Sequence, residues 1–263
     1  LYGKGLPLRP DVYEQTPVPR SACCFPSHEN ELYRANDKLS LYKINISLRE
    51  KMIRRAAQNG IEIVDPSGVT IAADAKIGEG TIIHKGTIIK TGCEIGENCE
   101  IGPDTVLDHC KVGNGAMINA SQAEFSTIGD GTKIGPYSHI RPNSNLGSNV
   151  KIGNFVEVKN SNIDDKTSVA HLTYIGDCDC GKNVNWGCGC VTVDYDGKGK
   201  FRTVVGDNAV VGCNSNLVAP VTVEKNTYIA AGSTITHTVP EEALAIARAR
   251  QVNKEGWNKK NIK

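Results

Sequence analysis

The hydrophobic positions of this chain recur every six residues. Ile71, Ile77, Ile83, Ile89, Ile95, Ile101 and Leu107 stand in one register. The register slips by one to Val112, is obscure through "NGAMINASQAEF", and returns at Ile128, Ile134, Ile140, Leu146, Ile152 and Val158. A second slip gives Ile163, Val169, Ile175, Cys180 and Trp186, and after a break the pattern resumes at Val205, Val211, Leu217, Val223, Ile229 and Ile235. Glycine commonly follows the aliphatic residue, and a small side chain often stands two residues before it. Six is not a helix period, and so long a regular run does not suit a sandwich. It is the signature of a parallel β-helix. Three short strands make one triangular coil of about 18 residues, each hexad pointing its aliphatic inward. Gly and Asn suit the corners, where a positive φ costs them little.

The predicted class is therefore all-β, and the pattern resembles the left-handed parallel β-helix of hexapeptide-repeat transferases. Such helices usually trimerise, because their flat faces need covering. Residues 1–32 lack the pattern, are rich in Pro over their first thirty positions, and read as a mobile N-terminal tail. Residues 33–60 read as a linker helix arm. Leu41, Ile44, Ile46, Leu48, Met52, Ile53 and Ala56 are largely helically spaced there, and Gly60 is the stop. The β-helix is expected over 61–240, and a basic C-terminal tail over 241–263.

Charge narrows the partners. Lys+Arg 30 against Asp+Glu 29 gives a net charge of +1, which suggests neither nucleic acid nor an anionic membrane. No apolar run approaches the ~20 residues of a membrane span, and the first residues lack the apolar core of a signal peptide. The chain begins at Leu1 rather than Met, as a piece of a longer protein would. Ten cysteines without an export signal read as reduced thiols in the cytoplasm.

The hexad register sorts the chemistry-bearing residues. Cys93, Cys99, Cys110, Cys178 and Cys190 fall two before a slot, where the repeat wants something small, and Cys180 fills a slot. A zinc reading of Cys178, Cys180, Cys188 and Cys190 is disfavoured, because pairs ten residues apart lie on different faces. His84, His109 and His139 do not stack, which argues against a metal-dependent hydratase. Trp186 in an inward slot is unexplained by the pattern. Cys188 and Cys213 lie two after a slot and point outward. So does His171, which is expected below the one large interruption, "VDYDGKGKF" (193–201), with Lys198 and Lys200 on Gly hinges. Arg141 and Lys159 each follow a slot residue and are 18 apart, so they stack in adjacent coils as a candidate phosphate clamp. Tyr174 leads into the same face one coil on.

At these residues a specific resemblance emerges. "IRPNSNLGSNVKIGNFVEVKNS", "HLTYIGD", "NVNWGCG", "YDGKGKF", "SNLVAPVTV", "AAGSTIT" and "ALAIARARQVNKEGW" together resemble the acetyltransferase half of the bacterial GlmU family. Those are bifunctional glucosamine-1-phosphate N-acetyltransferases and N-acetylglucosamine-1-phosphate uridylyltransferases. The resemblance spans roughly 33–257, and "YRANDKLSL" resembles the junction where the uridylyltransferase domain ends. It implies acetyl transfer for this chain, not uridylyl transfer, for synthesis of UDP-N-acetylglucosamine, peptidoglycan and lipopolysaccharide. It implies His171 as general base, and Arg141, Lys159, Tyr174, Asn185 and Lys200 as contacts to the sugar phosphate. It implies Cys188, Asp194, Tyr195, Cys213, Ala231 and Arg248 on the acetyl-CoA side, with no metal needed. Arg248 and the basic tail are expected to meet coenzyme A phosphates from a neighbouring subunit of a homotrimer. Two positions depart from the family: Asp194 where Asn is usual, expected to bring a negative charge beside His171, and Cys213 where Ser is often found. Two further readings stay open, a hexapeptide acyltransferase with another acceptor and a non-catalytic β-helix assembly module.

Overall fold

The computed structural model describes residues 37–257. The expected tail at 1–32 and the last lysines lie outside the described residues. One helix, Lys38–Gln58, precedes the strands. Asp37 caps it, its Oδ1 accepting from the Ser40 N–H at 2.6 Å. Gly60, at φ +78°, ends it as the pattern predicts. Leu41 and Leu48, assigned to the apolar stripe, are exposed. Chain contacts divide the protein into Leu1–Ile46 and Ser47–Lys263. In the second unit, Met52, Ile53 and Ala56 pack against the start of the β-helix core.

The strands form a parallel β-helix whose three faces each stack one inward residue per coil. The first face carries Ile83, Ile101, Ile118, Ile134, Ile152, Val169, Trp186, Val211 and Ile229. The second carries Ile89, Leu107, Ala123, Ile140, Val158, Ile175, Thr192, Leu217 and Ile235. The third carries Ile77, Ile95, Val112, Ile128, Leu146, Ile163, Cys180, Val205 and Val223. These stacks bury mostly aliphatic groups against their own kind in one continuous hydrophobic core. The stretch obscure in the sequence is resolved by Ile118 and Ala123, the latter a slot filled by a mere methyl. The last coil closes at Leu244–Ala245, so it runs past the expected boundary at 240.

Small buried residues two before each slot close the corners. Thr81 Oγ1 donates to Gly96 O at 2.9 Å and accepts from the Cys99 N–H at 3.1 Å. The Cys99 thiol donates to Gly113 O at 3.1 Å. Cys93, Cys110, Cys178 and Cys190 are buried in the same position, as the register predicts. The residue following Cys190 by two is Thr192 rather than an aliphatic. Trp186 is fully inside. Cys180 and Thr192, one slot before and one after it, are small enough to leave room for the indole. Its Nε1–H points at Cys180 Sγ, 3.4 Å away.

Candidate active site

Two strands differ from the rest. Lys151–Lys159 and Ser168–Gly176 each run nine residues, around the corner between the first and second faces. Gly153 permits the bend, because a Cβ there would collide with the Ala170 carbonyl one coil away. The register pairs Asn154 with His171. Ser168, Val169 and Tyr174 pair with Asn185, Trp186 and Val191, all 17 residues on, which places Cys188 above His171. Asn185, Trp186 and Val191 pair with Val210, Val211 and Asn216, 25 on, which places Cys213 above Cys188. Val210 and Asn216 pair with Tyr228 and Thr234, 18 on, which places Ala231 above Cys213. At the end of this line, Arg248 Cδ comes within 3.8 Å of a Cβ built on Gly232. One outer corner thus carries His171, Cys188, Cys213, Ala231 and Arg248 in file. Arg248, expected to act from a neighbouring subunit, lies beside the file of its own chain.

The His171 side chain is exposed and has no hydrogen bond or ion pair among the described residues. The next residue on each rung bends with φ > 0: Tyr137, Phe155, Leu172 and Gly189. Tyr137 and Phe155 stack at 5.6 Å, and with Leu172 they form an exposed apolar ridge.

The second face leads from His171 to a charged cluster. Tyr174 lies beside Glu157, and Lys159 lies beside Gly176. His171 to Gly176 is five residues, at most about 16 Å of strand, and side chains from both ends reach inward over much of it. Arg141 donates to Glu157 Oε1 at 2.7 Å. At the next corner, Lys159 Nζ is 3.8 Å and Lys200 Nζ 3.7 Å from Asp177 Oδ2, and Lys200 donates to Asp194 Oδ2 at 3.4 Å. Asn160 also donates to Asp177. Burial pushes the Asp177 carboxyl up, but hydrogen bonding with Asp194 and Asn160 and the two ammonium charges outweigh it and hold it low. Hydrogen bonding to Lys200, then burial, lowers Lys159, while Lys200 is raised by the same contact and by both carboxylates. Burial raises the Tyr174 phenol, and the Asp194 charge adds to it.

The large interruption is a compact hairpin. Asp196 Oδ1 accepts from the N–H groups of Lys198 and Gly199, each at 2.8 Å, and the Phe201 N–H donates to Asp194 O at 2.8 Å. Arg202 clamps its return, donating to both Asp179 oxygens at 2.7 and 2.6 Å and to the carbonyls of Asn160 and Cys178 at 3.1 Å.

The structure thus corrects one expectation. Asp194 is not beside His171. The hairpin leaves the corner between the second and third faces, His171 stands between the first and second, and the full width of a face separates them. Asp194 is paired with Lys200 instead, and Tyr195 projects from the exposed hairpin. Asn185 stands on the first face, across the corner from Tyr174. Glu157, Asp177 and Arg202 were missed. The 18-residue arithmetic that aligned Arg141 with Lys159 also puts Asp177 there, a signal that was in the sequence. Of the two cysteines expected to point outward, Cys213 is exposed and Cys188 half-buried.

Comparisons with known proteins follow the same lines. Residues 74–109, 125–160 and 202–237 match the bacterial transferase hexapeptide model (six repeats). A crystal structure of a UDP-N-acetylglucosamine acyltransferase aligns at TM-score 0.50 and 19% identity, over 71% of each chain, a likeness of fold. The class is therefore the left-handed parallel β-helix of hexapeptide repeats. Within that class, the chain is 50% identical over 233 residues to the bifunctional protein GlmU of Caldanaerobacter subterraneus subsp. tengcongensis, covering 89% of this chain and 51% of that one. It is 50% identical over 237 residues to the bifunctional protein GlmU of Geobacillus sp., covering 90% and 51%. The chain spans about half the length of the curated relatives it matches, and so matches one half of the GlmU family. Among the described residues, no helix is long and apolar enough to cross a membrane.

Proposed function

We propose that this chain transfers the acetyl group of acetyl-CoA to the amine of glucosamine-1-phosphate, in the cytoplasm, for synthesis of UDP-N-acetylglucosamine. The observation that carries the reading is the single file His171, Cys188, Cys213, Ala231 and Arg248, next to a face that leads from His171 to two lysines. An extended pantetheine with a phosphate-bearing head suits the file. A small sugar phosphate suits the face.

The substrate amine is largely an ammonium at neutral pH, and only the free amine attacks a thioester. The ammonium first gives one proton to solvent, and as the free amine attacks, His171 takes a second proton from its nitrogen. The new N–C bond forms at the acetyl carbonyl, and the oxyanion collapses to break the C–S bond. The departing coenzyme A thiolate takes the proton from His171. No acyl-enzyme and no metal enter this scheme. Gly187 N–H donates to Val211 O and Gly189 N–H to Leu172 O, on either side of Cys188. The Cys188 N–H between them is the oxyanion donor in this scheme, worth ~3 kcal/mol if it behaves as other such donors do.

Arg141, Lys159 and Lys200 hold the phosphate, and Tyr174 and Asn185 orient the sugar. The phosphate replaces Glu157, Asp177 and Asp194 as counter-ion to these cations, so its own charge decides whether the exchange is favourable. Cys188, Cys213 and Ala231 line the donor's path, and Arg248 meets its phosphates. Asp194 and Tyr195 stand off that file within one chain, so a role on the donor side requires a neighbouring copy. A homotrimer supplies one, and the exposed ridge of Tyr137, Phe155 and Leu172 offers apolar surface for it.

The pairing of Arg141 with Glu157 favours one second reading, an acyltransferase whose acceptor carries no phosphate. Coenzyme A release from acetyl-CoA, followed with a thiol reagent against a protein-only blank, separates the two. Turnover with glucosamine-1-phosphate and little with glucosamine supports the proposal. Equal turnover with both supports the second reading.

A further inference from the structure

Eight cysteines are among the described residues, and six of them are buried. Burial pushes up the thiols of Cys93, Cys99, Cys110, Cys178, Cys180 and Cys190, which keeps them protonated and unreactive. The two that solvent reaches are Cys188, half-buried, and Cys213, exposed. They are also neighbours, on consecutive rungs of one corner. Hydrogen bonds on both sides hold the two rungs in register: Gly187 N–H to Val211 O at 2.7 Å and Asn214 N–H to Cys188 O at 2.8 Å. Two side chains two residues past their slots leave the corner in the same direction.

We propose that Cys188 and Cys213 are a redox pair that forms a reversible disulfide. Adjacent parallel strands stand about 4.8 Å apart, inside the ~4.4–6.8 Å window of Cα separations that a disulfide spans. In-register Cβ atoms sit at about the same spacing, a few tenths of an ångström beyond the ~3.5–4.5 Å that a relaxed bridge prefers. The bridge is therefore strained and easily reduced, as a switch is and a structural staple is not. Cys213, the more exposed, is the thiol that meets a peroxide first. Its thiolate attacks one peroxide oxygen, the O–O bond breaks, and a sulfenic acid and water result. Cys188 then attacks that sulfur and expels a second water. Both thiols are oxidised by two electrons in all, and the peroxide is reduced to two waters. The closed ring spans the whole coil from Cys188 to Cys213, hairpin included. On the reading above, which this part of the inference rests on, the bridge lies across the donor's path one rung from His171 and stops acetyl transfer.

The test treats the full chain with equimolar hydrogen peroxide, blocks free thiols after unfolding, and maps peptides without reductant. The expected result is a single intramolecular Cys188–Cys213 cross-link, lost on adding a dithiol, with the six buried cysteines alkylated in full. Two free thiols at these positions, separate sulfinic acids, or a bridge to another chain would overturn the pair. In parallel, coenzyme A release is compared before and after oxidation. We expect a reversible loss of tenfold or more in the native chain, and no reversible loss in Cys188→Ser or Cys213→Ser, each measured against its own reduced rate. A cross-linked chain of unchanged rate would overturn the blocking role. A reduced chain with no turnover would count against the proposed reaction, and the peptide map would still decide the pair.

Discussion

The coils before about residue 136 and those between 151 and 218 are built from one repeat and differ in their corners. In the early coils strands are two or three residues long, and glycines such as Gly80, Gly86 and Gly92 turn the first of their corners. In the later coils two nine-residue strands sweep around a corner, and Phe155 and Leu172 hold the positive φ. A bulky residue there costs about 1–2 kcal/mol relative to glycine. Non-glycine residues hold positive φ in both regions, His109 and Phe125 in the early coils among them, and what sets the later corner apart is its pair of nine-residue strands. The difference teaches where to look in a repeat. Core slots point inward from end to end, although Ala123, Cys180, Trp186 and Thr192 depart from the aliphatic pattern, and the candidate site lies where the strands lengthen around a corner.

The comparison breaks hardest at Trp186. Trp186→Ala leaves a hole between Val169 and Val211, so it should cost about 3–5 kcal/mol in denaturant unfolding, more than an ordinary slot such as Val112→Ala. Equal losses would remove the claim that this coil is specially packed. Gly86→Ala, at φ +70°, sets a Cβ against Asp104 Oδ1 and should cost about 1–2 kcal/mol or more. A neutral result would show that the early corners are not glycine-dependent.

Alkali tests both regions together. Cys110 in the early coils and Cys180 in the later ones are both pushed up to about 12 by burial, from an ordinary 9.0. Above pH 9 the unfolded chain releases these protons and the folded chain keeps them. Stability is therefore whole below about pH 9 and falls as pH rises toward 12, by about 1.4 kcal/mol per unit for each thiol. Cys110→Ala and Cys180→Ala should each remove their share of that slope. The smallest effect is at Leu172→Gly, where relief of strain is offset by a freer unfolded chain. We expect a net gain below about 1 kcal/mol, against a loss for glycine substitutions at the early corners.

At the second corner the test is binding. Lys159 is lowered from its ordinary 10.5, so affinity for a phosphate-bearing sugar should fall as pH rises through that lowered value, earlier than an unperturbed lysine allows. Titration by calorimetry with the Lys159→Arg variant checks this, since an arginine should hold affinity to higher pH.

The fold was legible because a slot residue repeats its own neighbourhood every coil. Each of Ile71 through Leu107 reports the same inward direction, and Ala123 hid only because a methyl is a weak hydrophobic signal. Trp186 was legible as inward but not as packed, since its room comes from Cys180 and Thr192, residues no periodicity weighs. His171, Cys188 and Cys213 were legible as outward by counting from their slots. The misplaced Asp194 shows the limit of such counting. A hairpin's position in the chain does not tell which corner it leaves, and only the register across the interruption, Cys180 with Val205, fixes that corner. Asp177 went unread although the same arithmetic aligns it with Lys159, and Glu157 went unread because it stands 16 residues from Arg141 and meets it diagonally.

The most direct test of the central claim, that the corner headed by His171 is the catalytic seam, compares coenzyme A release by the native chain and by His171→Ala. The exposed imidazole has no hydrogen bond or ion pair among the described residues, so the substitution should leave thermal unfolding unchanged. Turnover of glucosamine-1-phosphate should fall by about 10²–10⁴ while acetyl-CoA still binds. A variant that folds, binds acetyl-CoA and turns over at the native rate would contradict the account.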